Sequence, residues 1–383
     1  MSEVKAAFEQ RFGRSPKFIA RAPGRVEFIG NHTDYNGGEV LGAAVDRFLE
    51  VGVAPRDDDK LIFATDGNPD LVEFSDLDTA MSTGVGWVKY PLGVLALLGE
   101  KGVSVKSGFD FLVTSEIPSG AGLSSSAAFE LASSIAFESL AGQELDRLER
   151  VRLARRAENE VVGVPCGILD QGVSGFGEKD RLVHIDCSSE EIHTVDGPAH
   201  TRIWIFESGK KHSLVDSLYS ARNQECCQAF DFLKEKIPAI QFLVDVSPED
   251  LQKFESELPE NVFRRAKHVI EEHRRVQECV KLLANGDLKA VGELLCASHW
   301  SSSKLFENSI EELDTLVEFL SAEEKVYGTR LTGGGFGGAV MALCQKSFAE
   351  EDAQKIADQF SQKYGEAPKF RGLSIAEGAQ KVS

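Results

Sequence analysis

Residues 118–127 read PSGAGLSSSA, a glycine-rich stretch followed at once by three adjacent hydroxyls. The run before it (108–114, GFDFLVT) alternates apolar residues as a strand does, and the run after it (127–132, AAFELA) favours a helix. Glycines let backbone N–H groups approach a ligand closely, and the following helix presents its positive end to the same space. The stretch therefore predicts a phosphate-binding loop; the alternative is a Gly/Ser loop in which Ser124 caps the helix.

The composition excludes several classes of protein. A chain of 383 residues predicts two domains. Its 42 basic against 61 acidic residues give a formal charge of −19, which argues against nucleic acid or an anionic membrane as a main partner. The N-terminus has no apolar signal region, and no apolar run is long enough to span a membrane, so we expect a cytoplasmic protein. Seven scattered cysteines without a CxxC pair fit reduced thiols.

Periodicity predicts an α+β protein in two domains, 1–195 and 196–383. Alternating runs predict mostly strands up to residue 110, with a break at Pro23-Gly24, and one helix near 87–98. After the glycine-rich loop we expect helices at 124–140 and 144–162 and strands at 181–186 and 201–206. The second half is richer in helix, with candidates at 212–234, 259–285, 287–300, 309–323 and 347–364.

A second unusual stretch, residues 24–38 (GRVEFIGNHTDYNGG), packs donors and acceptors between glycines. Asn31, His32 and Asp34 suit a polyol, because neighbouring hydroxyls need paired donor and acceptor groups. Arg25 adds a fixed positive charge. The alternative is a polar turn capped by one of its own Asp or Asn side chains. A metal site at His32 and Asp34 is less favoured, because their spacing fits no common helical ligand pair.

Two carboxylates stand in the middle of the chain. Glu158 falls on the predicted helix 144–162, and Asp170 follows a Pro-Cys-Gly turn in an apolar setting. An acid placed there needs a positive partner, and Arg25 is a candidate. The alternatives are a surface role for Glu158 and a structural cap at Asp170; we favour a functional role for Asp170.

A third stretch, residues 333–338 (GGGFGG), satisfies GxGxxG. A dinucleotide-binding fold is rejected, because only 45 residues follow Gly338, too few for the repeated βαβ units that such a fold requires. A glycine loop that packs against the phosphate-binding loop from the other domain fits better. The alternative is a plain tight turn between strands.

These stretches resemble the three motifs of the GHMP small-molecule kinases, named for galactokinase, homoserine, mevalonate and phosphomevalonate kinases. Residues 118–127 are similar to motif 2 and residues 333–338 to motif 3, while residues 24–38 resemble the galactokinase signature GRVNLIGEHTDYNGG. Further similarity, over nearly the full length, is found at 165–171, at 212–214 with Tyr219, and at 263–268. The resemblance implies a two-domain GHMP kinase fold, with an N-terminal mixed-sheet domain, a C-terminal ferredoxin-like α/β sandwich domain and the active site between them.

The same resemblance implies an ATP-dependent kinase that phosphorylates the anomeric (C1) hydroxyl of a galactose-type sugar with Mg²⁺. Asp170 would act on that hydroxyl as a base or by electrostatic orientation. Arg25 would hold Asp170 charged and stabilise the transferring phosphoryl group. The metal would bind at Ser126 and Glu158. The sugar would contact Asn31, His32, Asp34, Gly167 and Tyr219. The nucleotide would contact Gly120, Gly122, Ser124, Ser125 and Ser126, with Trp87 on its adenine side.

The chain departs from the family pattern at several positions. The family's Glu before His-Thr-Asp, which contacts the C6 hydroxyl in galactokinases, is Asn31 here, and its Asn after Arg-Val is Glu27. Gly42 replaces the usual Pro after Val-Leu. Losing a negative charge at position 31 suggests altered selectivity at C6, toward a sugar such as galacturonate. The alternative is that Asn31 still serves D-galactose.

Three functions therefore compete. The first is a galactose-type sugar 1-kinase, with the sugar and ATP as its partners, acting as a monomer or weak homodimer. The second is the same reaction on a C6-modified or N-acetylated hexose, such as galacturonate or N-acetylgalactosamine. The third is a sugar and ATP sensor without catalysis, because a kinase fold can be retained for binding alone. The sensor is the weakest, since Asp170, Arg25 and the three serines are intact.

Overall fold

The strands divide between two sheets. This computed structural model describes residues 3–84, 86–118, 122–164, 166–211 and 215–383. The strands of the first sheet are β1 (Phe18–Ile29), β2 (Glu39–Pro55), β3 (Leu61–Thr65), β4 (Asn68–Phe74), β5 (Phe109–Ser115), β6 (Arg181–Asp186), β7 (Glu191–Asp196) and, at the other end of the chain, β12 (Gln380–Lys381). The strands of the second sheet are β8 (Thr201–Lys211), β9 (Val326–Thr332), β10 (Gly337–Gln345) and β11 (Lys369–Leu373).

The first sheet is mixed, as predicted. Its order is β12-β1-β2-β5-β3-β4, with β6 beside β2 and β7 beside β6. The β3–β5 pair is parallel, and the other described pairs are antiparallel. β12 brings the C-terminal residues back to the first sheet, where Ala20 pairs with Lys381.

The second sheet has the order β11-β8-β10-β9, and every described pair in it is antiparallel. In chain order this is fourth-first-third-second, the strand order of a ferredoxin-like sandwich, which confirms the predicted fold of the second half. Trp204, Phe206 and Leu331 point from the sheet into an apolar core shared with two helices, near Leu316 and Ile356. The two halves thus have distinct sheets.

The helices lie close to where periodicity placed them, with ends that differ by a few residues. The predicted 144–162 helix divides into an α-helix and a π-helical turn (Ala157–Val162). Residues 212–214 of the predicted helix 212–234 lie outside the described part of the chain. The observed helices are α1 (Glu3–Phe12), α2 (Leu77–Thr83), α3 (Lys89–Glu100), α4 (Ser125–Ala141), α5 (Arg147–Arg156), α6 (Leu169–Phe176), α7 (Val215–Lys236), α8 (Pro248–Lys253), α9 (Glu260–Ala284), α10 (Leu288–Ser301), α11 (Glu311–Ser321) and α12 (Glu350–Tyr364).

The predicted strand break at Pro23-Gly24 is wrong. β1 runs without interruption from Phe18 to Ile29 and absorbs the pair in a register shift against β2. Such a shift suits proline, which has no N–H to donate to the ladder. Glycine is required next, because a Cβ at Gly24 would lie 2.9 Å from the carbonyl oxygen of Leu123. The same contact seats the phosphate-binding loop on β1, since the N–H of Arg25 donates to that oxygen over 3.0 Å.

The predicted domain boundary at 195–196 falls in the last two residues of β7 (Glu191–Asp196), just before the chain leaves the first sheet for β8 at Thr201. The boundary itself stays a prediction, because β12 belongs to the first sheet although it lies in the second half. In the part of the chain that is described, no helix combines the length and apolar character needed to cross a membrane.

Candidate active site

A cavity of about 150 Å³ opens where β1 and the loop after it meet the second half of the chain. Its walls come from the start of α6, from α7 and from the glycine loop after β9. The seven residues predicted to act on or contact the sugar all line it. The complete lining is Arg25, Glu27, Gly30, Asn31, His32, Asp34, Cys166, Gly167, Leu169, Asp170, Tyr219, Gly333 and Gly334.

Arg25 and Asp170 form an ion pair at one end of the cavity. The Nε of Arg25 donates to Oδ1 of Asp170 over 2.6 Å, and Nη2 lies 2.5 Å from the same oxygen. The remaining Nη1 donates to the carbonyl oxygen of Gly122 over 2.6 Å. Asp170 stands in the first turn of α6, where the positive end of the helix favours a carboxylate. One buried guanidinium therefore ties the acid to the phosphate-binding loop.

The end of the phosphate-binding loop has an unusual backbone. Gly122 has φ 71°, which glycine adopts freely, but Ser124 has φ 50°, a left-handed conformation that is costly for serine. The Ser124 hydroxyl makes no capping bond to α4 and instead donates to Oδ2 of Asp170. The alternative in which Ser124 merely caps the helix is therefore wrong. Gly120, a predicted nucleotide contact, lies outside the described residues.

Glu158 is brought to the same end of the cavity by the π-helical turn. Its carboxylate hydrogen-bonds with the Ser126 side chain, and the Nε2 of Gln171 donates to it over 2.6 Å. The same Nε2 lies 3.0 Å from Oε2 of Glu130. Burial, with the charge of Asp170 beside it, raises the pKa of Glu158. Burial also raises the pKa of Glu130 well above its usual range.

The pair of Ser126 and Glu158 has the composition of a partial magnesium site. Among the described residues, no group of three or more His, Cys, Asp and Glu side chains could hold a metal ion by itself. Mg²⁺ in nucleotide enzymes binds through one or two carboxylates and takes its other ligands from water and substrate phosphates. A carboxylate and a hydroxyl beside a phosphate-binding loop fit that pattern.

His32 forms one wall of the cavity in its neutral form. It has φ 63°, and its ring stacks on Phe306 with centroids 4.2 Å apart. Its Nδ1 lies 2.9 Å from the hydroxyl of Tyr35. Burial, with the positive groups around it, lowers the pKa of His32 to about 3. Because the ring stays neutral near pH 7, it can offer a donor on one nitrogen and an acceptor on the other.

Asp34 and Gly167 lie against each other in the wall of the cavity. A Cβ on Gly167 would lie 2.0 Å from Oδ2 of Asp34, so that position has room only for glycine. Burial raises the pKa of the Asp34 carboxyl to about 7, with the charges of Glu27 and Asp170 adding to the effect. Burial raises the pKa of Tyr219, which keeps its hydroxyl protonated as a donor.

Asn31 is 1% exposed and fully hydrogen-bonded to protein. Its Nδ2 donates to Oε1 of Glu27 over 3.0 Å and to the carbonyl of Gly333 over 2.9 Å. Its Oδ1 accepts from Asn308 over 2.8 Å and from Ser302 over 3.2 Å. The glycine loop of the second half is thus fastened to the loop after β1, whereas its expected packing against the phosphate-binding loop stays a prediction.

Sequence reasoning missed the groups behind that loop. Oε1 of Glu272, in α9, accepts from the backbone N–H groups of Gly30 and Asn31 over 3.1 Å each, and Ser298 donates to it over 2.6 Å. The fully buried Arg330 donates to Oε1 of Glu27 over 2.9 Å. No spacing in the sequence links groups that stand more than 200 residues apart. For Arg330, the only signal was its place three residues before the glycine run.

Trp87 and Ser125 were both predicted to contact the nucleotide, and the structure places them in different surroundings. Ser125 begins α4 directly after the loop. Trp87 does not line the cavity; its ring packs on Phe129 of α4, with centroids 6.0 Å apart, and on Phe63, 6.4 Å away. The structure therefore places Trp87 beside the helix that follows the loop.

Three family models match the chain. Residues 6–55 match the galactokinase galactose-binding signature, residues 89–178 the GHMP kinases N-terminal domain and residues 279–366 the GHMP kinases C-terminal model. The first contains the loop after β1, the second the phosphate-binding loop with Asp170, and the third the glycine loop after β9. Each of the three stretches 24–38, 118–127 and 333–338 thus falls within one model.

Curated relatives match over almost the whole chain. A galactokinase of Chloroflexus aurantiacus is 37% identical over 379 residues, which are 99% of this chain and 96% of that protein. A galactokinase of Bacillus subtilis is 35% identical over 389 residues, which are 99% and 98% of the two. The similarity to these relatives thus covers the residues of both sheets.

Solved structures show the same relationship. The crystal structure of Lactococcus lactis galactokinase complexed with galactose superposes with a TM-score of 0.93 at 32% identity, covering 99% of this chain and 98% of that one. The Methanococcus jannaschii mevalonate kinase, at 18% identity and a TM-score of 0.69 over 94% and 98% of the two chains, shares the fold alone. The chain therefore belongs to the galactokinase family of the GHMP kinases.

Proposed function

We infer that this protein transfers the γ-phosphoryl group of ATP to the anomeric hydroxyl of D-galactose, giving galactose 1-phosphate and ADP. The observation that carries the proposal is the contact of Arg25, Asp170 and Ser124 at the end of a small polar cavity. It puts one acid, one guanidinium and the phosphate-binding loop within reach of a single sugar hydroxyl. Phosphoryl transfer needs mainly that kind of positioning and charge neutralisation.

Asp170 is proposed to accept the hydrogen bond of the anomeric hydroxyl and to take up its proton as the phosphorus–oxygen bond forms. Arg25 holds the carboxylate in place through two nitrogens and leaves Nη1 near the loop, where negative charge builds on the transferring group. Ser124 keeps the second oxygen of Asp170 fixed. His32, Asp34, Gly167 and Tyr219 surround the remaining hydroxyls of the sugar.

ATP is proposed to bind with its phosphates against Gly122 and the three serines at the start of α4. Free N–H groups and the helix dipole favour an anion there. This local positive end matters because the chain as a whole carries a formal charge of −19. Gly120 is proposed to take part through its backbone, and Trp87 to lie on the adenine side of the nucleotide.

Magnesium is proposed to be held by Ser126 and Glu158. When bound, Mg²⁺ would supply positive charge that offsets the negative charge of the phosphates. Gln171 orients Glu158 through a 2.6 Å hydrogen bond. Burial raises the pKa of Glu158, and a bound cation would oppose that rise by favouring the charged form.

The proposal is tested by measuring ADP release with D-galactose, N-acetylgalactosamine, galacturonate, fucose and arabinose in the presence of ATP and Mg²⁺. We expect galactose to be used best, with ³¹P NMR of the product showing phosphate on the anomeric carbon. If another sugar were used better than galactose, that sugar would be the substrate in place of galactose. ATP binding without turnover of any sugar would favour the sensor over the kinase.

Galactose affinity is expected to rise with pH because of Asp34. Its pKa of about 7 leaves the carboxyl mostly neutral below that pH. Sugar hydroxyls that donate to Asp34 favour its charged form, so its pKa falls in the complex and binding releases a proton. The dissociation constant should therefore decrease from about pH 6 to about pH 8 and then level off. Calorimetry at pH 6.5 in two buffers of different ionisation enthalpy would count the protons released.

The matched control is Asp34→Asn, which keeps the shape and removes the titration. It should bind galactose more weakly and release no proton over the same range. His32 does not interfere, because its pKa is about 3. An affinity in the unsubstituted protein that falls as pH rises would contradict the assignment.

A further inference from the structure

We propose that Glu27, not Asn31, supplies the carboxylate that accepts a hydrogen bond from a sugar hydroxyl, and that Asn31 is a positioning residue that holds Glu27 in place. The proposal rests on the proposed function, since it names the group that reads the sugar in the same cavity. It also gives a role to Glu27, a departure from the family pattern whose effect could not be inferred from the sequence.

Asn31 has no hydrogen-bonding position left for a sugar. An asparagine side chain has two N–H donors and two acceptor positions on its oxygen. Both donors are used by acceptors of the protein, Oε1 of Glu27 and the carbonyl of Gly333. Both acceptor positions are used by donors, Asn308 and Ser302. These partners also fix the orientation of the amide, because a reversed amide would turn its oxygen toward two acceptors.

Glu27 keeps one oxygen available. Its Oε1 accepts from Asn31 over 3.0 Å and from Nη2 of Arg330 over 2.9 Å. Its Oε2 makes no hydrogen bond with any of the residues described, although Glu27 lines the cavity and is only 4% exposed. Arg25 and Glu27 are two apart on β1, so their side chains share the face that borders the cavity. A carboxylate oxygen of a nearly buried, cavity-lining residue that has no partner among the described residues is expected to receive a ligand donor.

Positions 27 and 31 have exchanged their residue types relative to the galactokinase signature. The signature that residues 24–38 resemble has Asn at the first position and Glu at the second, and this chain has the reverse order. The hydrogen bond between the two side chains means that the exchange keeps one amide and one carboxylate in contact.

The buried guanidinium of Arg330 explains why a carboxylate must remain. Arg330 is 0% exposed, and the Glu27 carboxylate is its ion-pair partner. A buried charge without a partner is strongly destabilising. Because Glu27 restores the negative charge to the cavity, the loss of a charge at position 31 does not make room for galacturonate. We therefore expect galacturonate to be rejected.

The test is a four-protein cycle of the unsubstituted protein, Glu27→Asn, Asn31→Glu and the double variant that carries both. Glu27→Asn leaves no carboxylate at either of the two positions, Asn31→Glu puts one at both, and the double variant has one, at position 31. We expect kcat/KM for galactose to fall about 10- to 100-fold in each single variant. The second substitution should raise it again, to within about tenfold of the starting protein. A loss in the double variant equal to the product of the single losses would overturn the pairing.

A fifth protein, Glu27→Gln, covers the case in which Glu27→Asn does not fold, because glutamine keeps the volume and an acceptor for Arg330. Galactose derivatives that each lack one hydroxyl then show whether Glu27 contacts the sugar or only supports the fold. One of them should be used about tenfold less well than galactose by the unsubstituted protein, but nearly as well as galactose by Glu27→Gln. A folded, ATP-binding Glu27→Gln with unchanged KM for galactose and for every deoxygalactose would overturn the proposal. Failure of the unsubstituted protein on galactose would instead overturn the proposed function.

Discussion

Asp170→Asn is expected to lower kcat with galactose about 10³-fold while ATP still binds. Asparagine has nearly the same shape; its Oδ1 can still accept from Arg25, and its Nδ2 can donate to the hydroxyl oxygen of Ser124, so the loop should stay in place. It has no negative charge and takes up no proton, so the anomeric hydroxyl loses both its orientation and its acceptor. A coupled ADP assay gives kcat, and calorimetric titration gives the affinity for ATP.

Asp59→Asn is the matched control, because Asp59 is exposed in the turn between β2 and β3. It makes the same chemical change far from the cavity and should leave kcat unchanged. Turnover by Asp170→Asn close to that of the control would contradict the role given to Asp170. Loss of ATP affinity together with turnover would show instead that Asp170 acts mainly by holding the phosphate-binding loop.

Local patterns were enough to place the elements of the site. Residues 108–114, 118–127 and 127–132 predicted in turn a strand, a glycine-rich loop and a helix, and β5 and α4 flank that loop. The apolar setting of Asp170 indicated a need for a positive partner, and Arg25 is that partner across 145 positions of sequence. These inferences succeed because burial of a charge or a phosphate imposes residue types that can be read locally.

Contacts between remote groups could not be read in the same way. The sequence suggested an Asn31 that contacts the sugar, but four groups from three segments occupy its amide. Glu272 approaches from α9, and nothing on that helix distinguishes it from the other acids there. The left-handed Ser124 is likewise a product of tertiary contact, since its hydroxyl follows Asp170 and not the helix. Such pairings depend on which surfaces the two halves bring together.

The largest expected effect on stability is that of Gly292→Ala, a change outside the cavity. Gly292 is buried in α10 and lies against β9. A Cβ there would lie 1.8 Å from the carbonyl oxygen of Tyr327 and 2.3 Å from its carbon. These are backbone atoms, so no side-chain rotation can relieve the clash, and α10 must move away from the sheet. We expect a loss of about 3 kcal/mol in the free energy of unfolding, measured with urea.

Gly99→Ala is the matched control, because it makes the same glycine-to-alanine change in a helix at a position without a clash. Gly99 is an exposed glycine in α3 with no atom within 4 Å of a built Cβ, so alanine there should leave stability within about 1 kcal/mol of the starting protein. Displacing β9 would also move Arg330, which holds Glu27, so folded Gly292→Ala should show a raised KM for galactose. If the two variants were equally stable, α10 and β9 would have adjusted to the new methyl group at no cost in free energy. Arg330 would then be held in place by its own hydrogen bonds alone.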